Sequence, residues 1–132
     1  MLFDHVGVMN QDEDGAVRFY MGILCLEKIK ESSVLPELAR QLFGLDREIR
    51  MLVFGNEDLK VEIFIIPGFS LPLPSVPHFC LQVADLGTFL EEAKRKGVKV
   101  ISAERGGRTV HFVEDFSGNR IELKPLIVKR ET

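Results

Sequence analysis

Two stretches of the chain carry the same order of local patterns, and this repetition limits the available folds more than any other feature of the sequence. In the first, His5-Val-Gly-Val opens a strand, Asp12 and Asp14 lead into a helix, and the last strand carries Val61-Glu62-Ile63. In the second, His78-Phe-Cys-Leu opens a strand, Asp85 leads into a helix, and the last strand carries Ile121-Glu122-Leu123. Both halves read strand–helix–strand–strand–strand. At 132 residues the chain is one ordinary domain made of two small halves. The repeat predicts an α+β chain of two modules, residues 1–66 and 78–126. A proline-rich linker over 67–77 joins them, and a tail over 127–132 follows.

The elements follow from periodicity. Residues 2–9 mix β-branched and apolar side chains and read as a strand. Residues 15–23 place Ala16, Val17, Phe19, Tyr20 and Ile23 at helical spacing, behind an acidic run suited to the positive end of the helix dipole. Residues 24–33 return to alternation. Pro36, followed by Leu38, Ala39, Leu42 and Phe43, marks a short amphipathic helix over 35–45. Strands over 50–54 and 59–66 flank a turn over 55–58. The linker holds four of the six prolines, which cannot donate to a ladder, and its Phe69, Leu71, Leu73 and Val76 predict that it lies against the protein surface.

In the second half a strand spans 78–83. A helix over 85–96 sets Leu86, Phe89, Leu90 and Ala93 on one face and ends at Gly97. A strand over 98–102 and a turn or loop over 103–107 lead to a hairpin over 108–125. There Val110, Phe112 and Phe116 are the strand-type residues and 115–119 the turn. The tail ends in charge and is expected to fray.

Composition excludes several function classes. The chain is 45% hydrophobic and 28% charged, the balance of a soluble globular protein. A net charge of −3, with the one basic run at 94–96 placed late in a helix, points away from nucleic acid. The longest apolar runs, such as 63–66, are too short to span a bilayer. The opening Met-Leu-Phe-Asp-His lacks the basic and apolar regions of a signal peptide, so a cytoplasmic location without membrane association is expected. Cys25 and Cys80, each in an apolar context, are expected to be buried thiols in a reducing compartment.

Glu122 is the odd residue of the hairpin. An acid between Ile121 and Leu123 must face water or meet a partner. A single strand histidine is more often a core or surface residue than a ligand, and a single strand glutamate usually faces solvent. The repeat changes that weighing, because it gives each half one histidine and one glutamate at equivalent positions. Two halves related by a pseudo-two-fold would bring His5, Glu62, His78 and Glu122 towards one centre. Two imidazoles and two carboxylates suit a divalent transition metal: Zn²⁺, Ni²⁺, Co²⁺, Mn²⁺ or Fe²⁺. His111 has no counterpart in the first half and reads as a structural or pocket-lining residue.

Four stretches carry a resemblance that covers nearly the whole chain. They are Asp4-His5-Val-Gly-Val, Ala16-Val-Arg-Phe-Tyr20-Met-Gly-Ile-Leu24, Val76-Pro-His78-Phe-Cys-Leu-Gln-Val83 and Phe112-Val-Glu-Asp-Phe-Ser-Gly-Asn119-Arg-Ile-Glu122-Leu. Together they resemble the vicinal oxygen chelate superfamily, which includes glyoxalase I, methylmalonyl-CoA epimerase, extradiol dioxygenases and fosfomycin- and bleomycin-resistance proteins. The resemblance implies two tandem βαβββ modules forming a cup-shaped, mostly antiparallel mixed sheet around the metal. It implies His5, Glu62, His78 and Glu122 as ligands of Zn, Ni, Co or Mn, with Glu122 and Glu62 as catalytic bases.

All four ligands together point to the glyoxalase I and epimerase branches. The implied reaction moves a proton next to a carbonyl through a metal-stabilised enediolate. The small-molecule substrate would be a 2-oxoaldehyde thiol adduct, as for lactoylglutathione lyase, or an acyl thioester, as for the epimerases, which share the Gly106-Gly107-Arg108 lead-in. A non-catalytic binding or resistance protein of the same fold is the alternative from another class. A homodimer is expected, with the site within one chain or shared between two.

Overall fold

The computed structural model describes residues 1–72 and 76–127. The chain divides into two compact units, Met1–Leu71 and Pro72–Thr132, each built of helix and sheet. Leu73 of the expected linker and the tail beyond residue 127 lie outside the described residues.

The first unit runs β1 (Val6–Asn10), α1 (Glu13–Tyr20), β2 (Glu27–Val34), α2 (Pro36–Phe43), β3 (Ile49–Gly55) and β4 (Lys60–Ile65). The acidic run does what its chemistry allows: Asp12 Oδ1 accepts the Gly15 N–H at 2.6 Å, satisfying one of the free amides that open α1. The sheet order is β1-β4-β3-β2, with β1 parallel to β4 and the other pairs antiparallel. A parallel pair cannot be closed by a tight turn, so the chain from α1 to β3 forms the crossover.

Strand alternation then sorts the side chains. Leu52, Phe54, Val61 and Ile63 share the face that buries Phe19 and Tyr20 of α1. The Tyr20 ring stacks on Phe54 with centroids 6.0 Å apart, and Phe19 meets Tyr20 edge-on at 4.9 Å. Burying each such side chain contributes roughly 1.5–3 kcal/mol. Glu62 has the opposite parity and shares its face with Gly7 and Val53.

The helix α2 closes a second cluster, in which Ala39 is buried with Val34, Ile49 and Ile66, and Phe69 of the proline-rich segment packs against them. Phe43 meets Phe64 edge-on at 5.4 Å. The helix stops at Gly44, whose φ of 69° suits glycine and whose N–H reaches the Ala39 and Arg40 carbonyls.

The second unit runs β5 (His78–Val83), α3 (Leu86–Arg95), β6 (Lys99–Arg105), β7 (Arg108–Glu114) and β8 (Arg120–Pro125). Its sheet order, β5-β8-β7-β6, follows the same plan, again with the first and last strands parallel. The helix α3 packs on β6 and β8, and Leu90, Ala93, Val98, Val113, Ile121 and Leu123 are buried. Asp85 caps it, accepting from the Thr88 N–H at 3.1 Å and the Thr88 hydroxyl at 2.9 Å.

Several expectations are corrected. The first strand begins at Val6, where pairing with Val61 begins, and Met1, Leu2 and Phe3 are exposed. The strand β6 does not stop at residue 102 but runs to Arg105. Gly106 and Gly107, with φ of 56° and 81°, supply the left-handed pair that a two-residue hairpin turn needs, so the ladder persists to the turn. Phe116 lies in the turn and not in a strand, because Asp115 Oδ1 accepts from the Ser117 and Asn119 N–H groups and folds the chain locally. The thiols are exposed, not buried. Cys25 sits in the loop after α1 with φ 57°, and Cys80 points to the face of β5 opposite the helix. Among the described residues, no helix is long and apolar enough to cross a membrane.

Candidate metal centre

Register places the histidine and the glutamate of each half at equivalent positions. On the parallel β1–β4 pair, Glu62 is the partner of Gly7, and His5 lies two residues before Gly7. On the β5–β8 pair, Glu122 is the partner of Cys80, and His78 lies two residues before Cys80. A two-residue step returns to the same sheet face, so each histidine shares a face with its glutamate. His5 Nε2 is 3.2 Å from Glu62 Oε1, and His78 Nε2 is 3.6 Å from Glu122 Oε1. The glutamates are the more enclosed members, with side chains 24% and 18% exposed against 38% and 36% for the histidines. Each pair is therefore open to ligand but partly shielded from water.

The second nitrogen of each ring has an oxygen partner of its own. His5 Nδ1 is 2.7 Å from Asp4 Oδ2, and His78 Nδ1 is 2.8 Å from the Val76 carbonyl. Both oxygens are acceptors, so each Nδ1 carries the hydrogen and donates it. Each ring then turns its Nε2 to a carboxylate oxygen of its glutamate. Two electron-rich atoms at that distance need a proton or a metal cation between them. Asp4 is held below its ordinary carboxylate range by its hydrogen bond to His5 and by Lys60, whose Nζ is 3.7 Å away.

The donor set fits a divalent metal. Ligands bonded at ~2.0–2.2 Å and about 90–110° apart lie about 2.8–3.6 Å from one another. Both His–Glu separations fall in that range. Each unit brings together two of the four expected ligands, and among the described residues no cluster of three or more His, Cys, Asp or Glu side chains forms a complete metal site.

The halves differ around this shared plan. Glu122 has Lys124 Nζ 3.8 Å from Oε2, whereas the matching β4 position is Phe64. The position facing Glu122 is Cys80, whose thiol, though exposed, is pushed up by the partial loss of water around it and then by the Glu122 charge. The position facing Glu62 is Gly7, where an added Cβ would sit 3.3 Å from the Phe64 ring. The His78 ring meets Phe112 edge-on at 5.0 Å. His111 is on the opposite face of its sheet, its Nδ1 2.8 Å from Ser102 Oγ, which favours the structural reading over the pocket-lining one.

Sequence reasoning did not single out Asp4, the Val76 carbonyl or Lys124. Asp4 was legible in principle, as a carboxylate next to a candidate ligand. The Val76 carbonyl was not, because a backbone oxygen leaves no residue signature.

The family model of the Glyoxalase/Bleomycin resistance protein/Dioxygenase superfamily matches residues 2–123, and the chain belongs to this superfamily. Solved structures agree on the fold. The fosfomycin resistance protein FosX from Mesorhizobium loti aligns with a TM-score of 0.68 at 20% identity, over 96% of this chain and 92% of that one. The trypanothione-dependent glyoxalase I of Leishmania major aligns with a TM-score of 0.67 at 21% identity, over 92% and 84%. A variant of FosX from Listeria monocytogenes, complexed with Mn(II), aligns with a TM-score of 0.68 at 21% identity, over 96% and 93%. No curated protein sequence matches the chain.

Proposed function

We propose that this chain is a metal-dependent lyase or isomerase of the glyoxalase I type, moving a proton between carbons next to a carbonyl. The observation that carries the reading is an imidazole Nε2 set against a carboxylate oxygen in both units, at matched register. His5, Glu62, His78 and Glu122 would hold one divalent ion, Zn²⁺, Ni²⁺, Co²⁺ or Mn²⁺. When bound, such an ion polarises a substrate carbonyl and so acidifies the neighbouring C–H.

The side chains divide the remaining work. Asp4 and the Val76 carbonyl hold the two rings with Nε2 turned to the glutamates. Glu62 and Glu122 are the groups of the right chemistry to take a proton from one carbon and return it to the next. Lys124 can hold the second oxygen of Glu122 while the first is engaged. The substrate class is a 2-oxoaldehyde thiol adduct or an acyl thioester. The protein works as a soluble cytoplasmic homodimer, for which the exposed apolar side chains Leu35, Leu38 and Leu42 around α2 offer contact surface.

Metal analysis of the purified protein, followed by assay on the hemithioacetal of methylglyoxal and on a 2-methyl-branched acyl-CoA, tests this. Bound metal and metal-dependent turnover of the hemithioacetal are expected. Turnover of the acyl-CoA alone would move the assignment to an epimerase. Stoichiometric ligand binding without turnover, unchanged by metal removal, would make it a binding protein. Sedimentation with and without metal tests the dimer, and dissociation on metal removal would mark a site shared between chains.

A further inference from the structure

The β6–β7 hairpin ends in two arginines that face each other. Arg105 and Arg108 are register partners flanking the Gly106-Gly107 turn, and both are exposed. Like charges directly opposite on a sheet are destabilising, and a counter-charge between them relieves that cost. The sheet does not supply one. Elsewhere on the same face Lys99 and Arg120 pair with Glu114, and Lys124 pairs with Glu122. Among the described residues, neither Arg105 nor Arg108 has a carboxylate partner. The nearest acid in the hairpin, Glu104, lies on the opposite face, where Thr109 donates to it at 2.6 Å.

The pair is also in line with the candidate metal ligands. The ladder steps from Arg105↔Arg108 to Ala103↔Val110 to Ile101↔Phe112, and Phe112 is in turn the register partner of Glu122. All share one face by strand alternation. That face therefore presents a carboxylate and imidazole at one end, a strip of small and apolar side chains in the middle, and at the tip two guanidiniums without a carboxylate partner among the described residues. Four residues separate Arg108 from Phe112, roughly 14 Å at ~3.4 Å per residue. The two-residue turn, with both glycines left-handed, keeps the two arginines directly opposite each other in the ladder.

We infer that Arg105 and Arg108 form an anion site that takes the carboxylate or phosphate tail of a ligand lying along this strip. The ligand would have its reacting group at Glu122, an apolar or extended spacer, and its charged end about 14 Å away. Two guanidiniums suit such a group because each offers paired N–H donors in a fixed fork. The tail-to-carbonyl spacing rests on the function proposed above; the anion site itself does not.

The test uses the full chain freed of metal, titrated with pyrophosphate, inorganic phosphate and tricarballylate while the NMR signals of the Gly106 and Gly107 amides and the arginine Nε–H groups are followed. Saturable shifts confined to the hairpin tip are expected, weakened at least about tenfold in the R105Q/R108Q double variant and by added salt. A response to the phosphates but not the tricarboxylate assigns a phosphate tail, and the reverse assigns a carboxylate. No saturable shift at the tip, or shifts unchanged in the double variant, would overturn the site. In the metal-loaded protein, R105Q/R108Q should raise KM for the true substrate about tenfold with kcat within about twofold. Because the titration is done without metal, failure of the metal assignment leaves its outcome readable.

Discussion

Glu62 and Glu122 stand at the same point of their two sheets, each beside a parallel strand whose histidine lies two residues before the glutamate's register partner. The equivalence makes a stoichiometric statement. If the two His–Glu pairs complete one site, the protein binds one ion per chain, and either Glu62→Gln or Glu122→Gln abolishes tight binding. If each pair bound its own ion, a single substitution would leave half the metal. Elemental analysis of the two variants decides, with a single ion in the parent and almost none in either variant as the expected result. Both glutamates lie outside the buried core, so the variants should melt close to the parent.

The two rings are oriented differently, and this gives an asymmetric expectation. Asp4 holds His5 through a side chain, whereas a backbone carbonyl holds His78. Asp4→Asn can still accept a hydrogen bond but lacks the charge that strengthens the ring as a donor to metal. Losing such a partner typically weakens metal affinity about 10–100-fold. Competition with a chelator should show that loss for Asp4→Asn without a change in melting temperature, because Asp4 is exposed. No side-chain substitution at Val76 should reproduce it.

Arg50 ties three elements on the helix side of the first sheet. Its Nε is 2.7 Å from Glu13 Oε2 on α1, and one terminal nitrogen is 2.9 Å from Glu31 Oε2 on β2. Glu13 is lowered by its hydrogen bond to Arg50, and Glu31 by Lys28 first and Arg50 second. Carboxyls lowered in the folded state add stability above their ordinary value of 4.5 and lose it as pH falls through the lowered folded value. The melting-temperature gap between the parent and Arg50→Gln should therefore be constant from pH 7 to pH 6 and shrink below about pH 4.5. A gap independent of pH down to 3 would show that Arg50 acts by packing alone. Salt should narrow the gap at neutral pH, since the groups are exposed.

Much of this was legible in the sequence because it is periodic. The α1 and α3 helices, the hairpin strands and the helix α2 after Pro36 all follow from spacing, and the His–Glu correspondence follows from the repeat. What was hidden has physical reasons. Whether Cys80 is buried depends on which sheet face is covered, and its apolar neighbours Phe79 and Leu81 point the other way from it. The end of β6 depended on two glycines adopting left-handed geometry, which turned an expected loop over 103–107 into three more strand residues before a tight turn. The strand assigned to residues 2–9 failed at its start because parallel pairing with β4 begins only at Val6.

Two glycines in the first unit should respond to alanine for different reasons. Gly55 ends β3 where the chain passes close to its neighbours. A Cβ there would lie 2.5 Å from the Leu59 carbonyl oxygen and 2.8 Å from Ile29 Cδ1. The carbonyl cannot retreat without disturbing the turn held by the Asn56 N–H to Leu59 oxygen bond at 2.9 Å. Gly55→Ala should therefore cost about 1–3 kcal/mol, in the range of overpacking. At Gly44 nothing lies within 4 Å of the added atom, and only the φ of 69° is strained. Gly44→Ala should cost about 1 kcal/mol, with Gly44→Asn recovering part of it because asparagine tolerates the left-handed region. Urea denaturation of the three variants separates the causes: a Gly55→Ala midpoint equal to the parent's would mean that the β3–β4 turn yields freely.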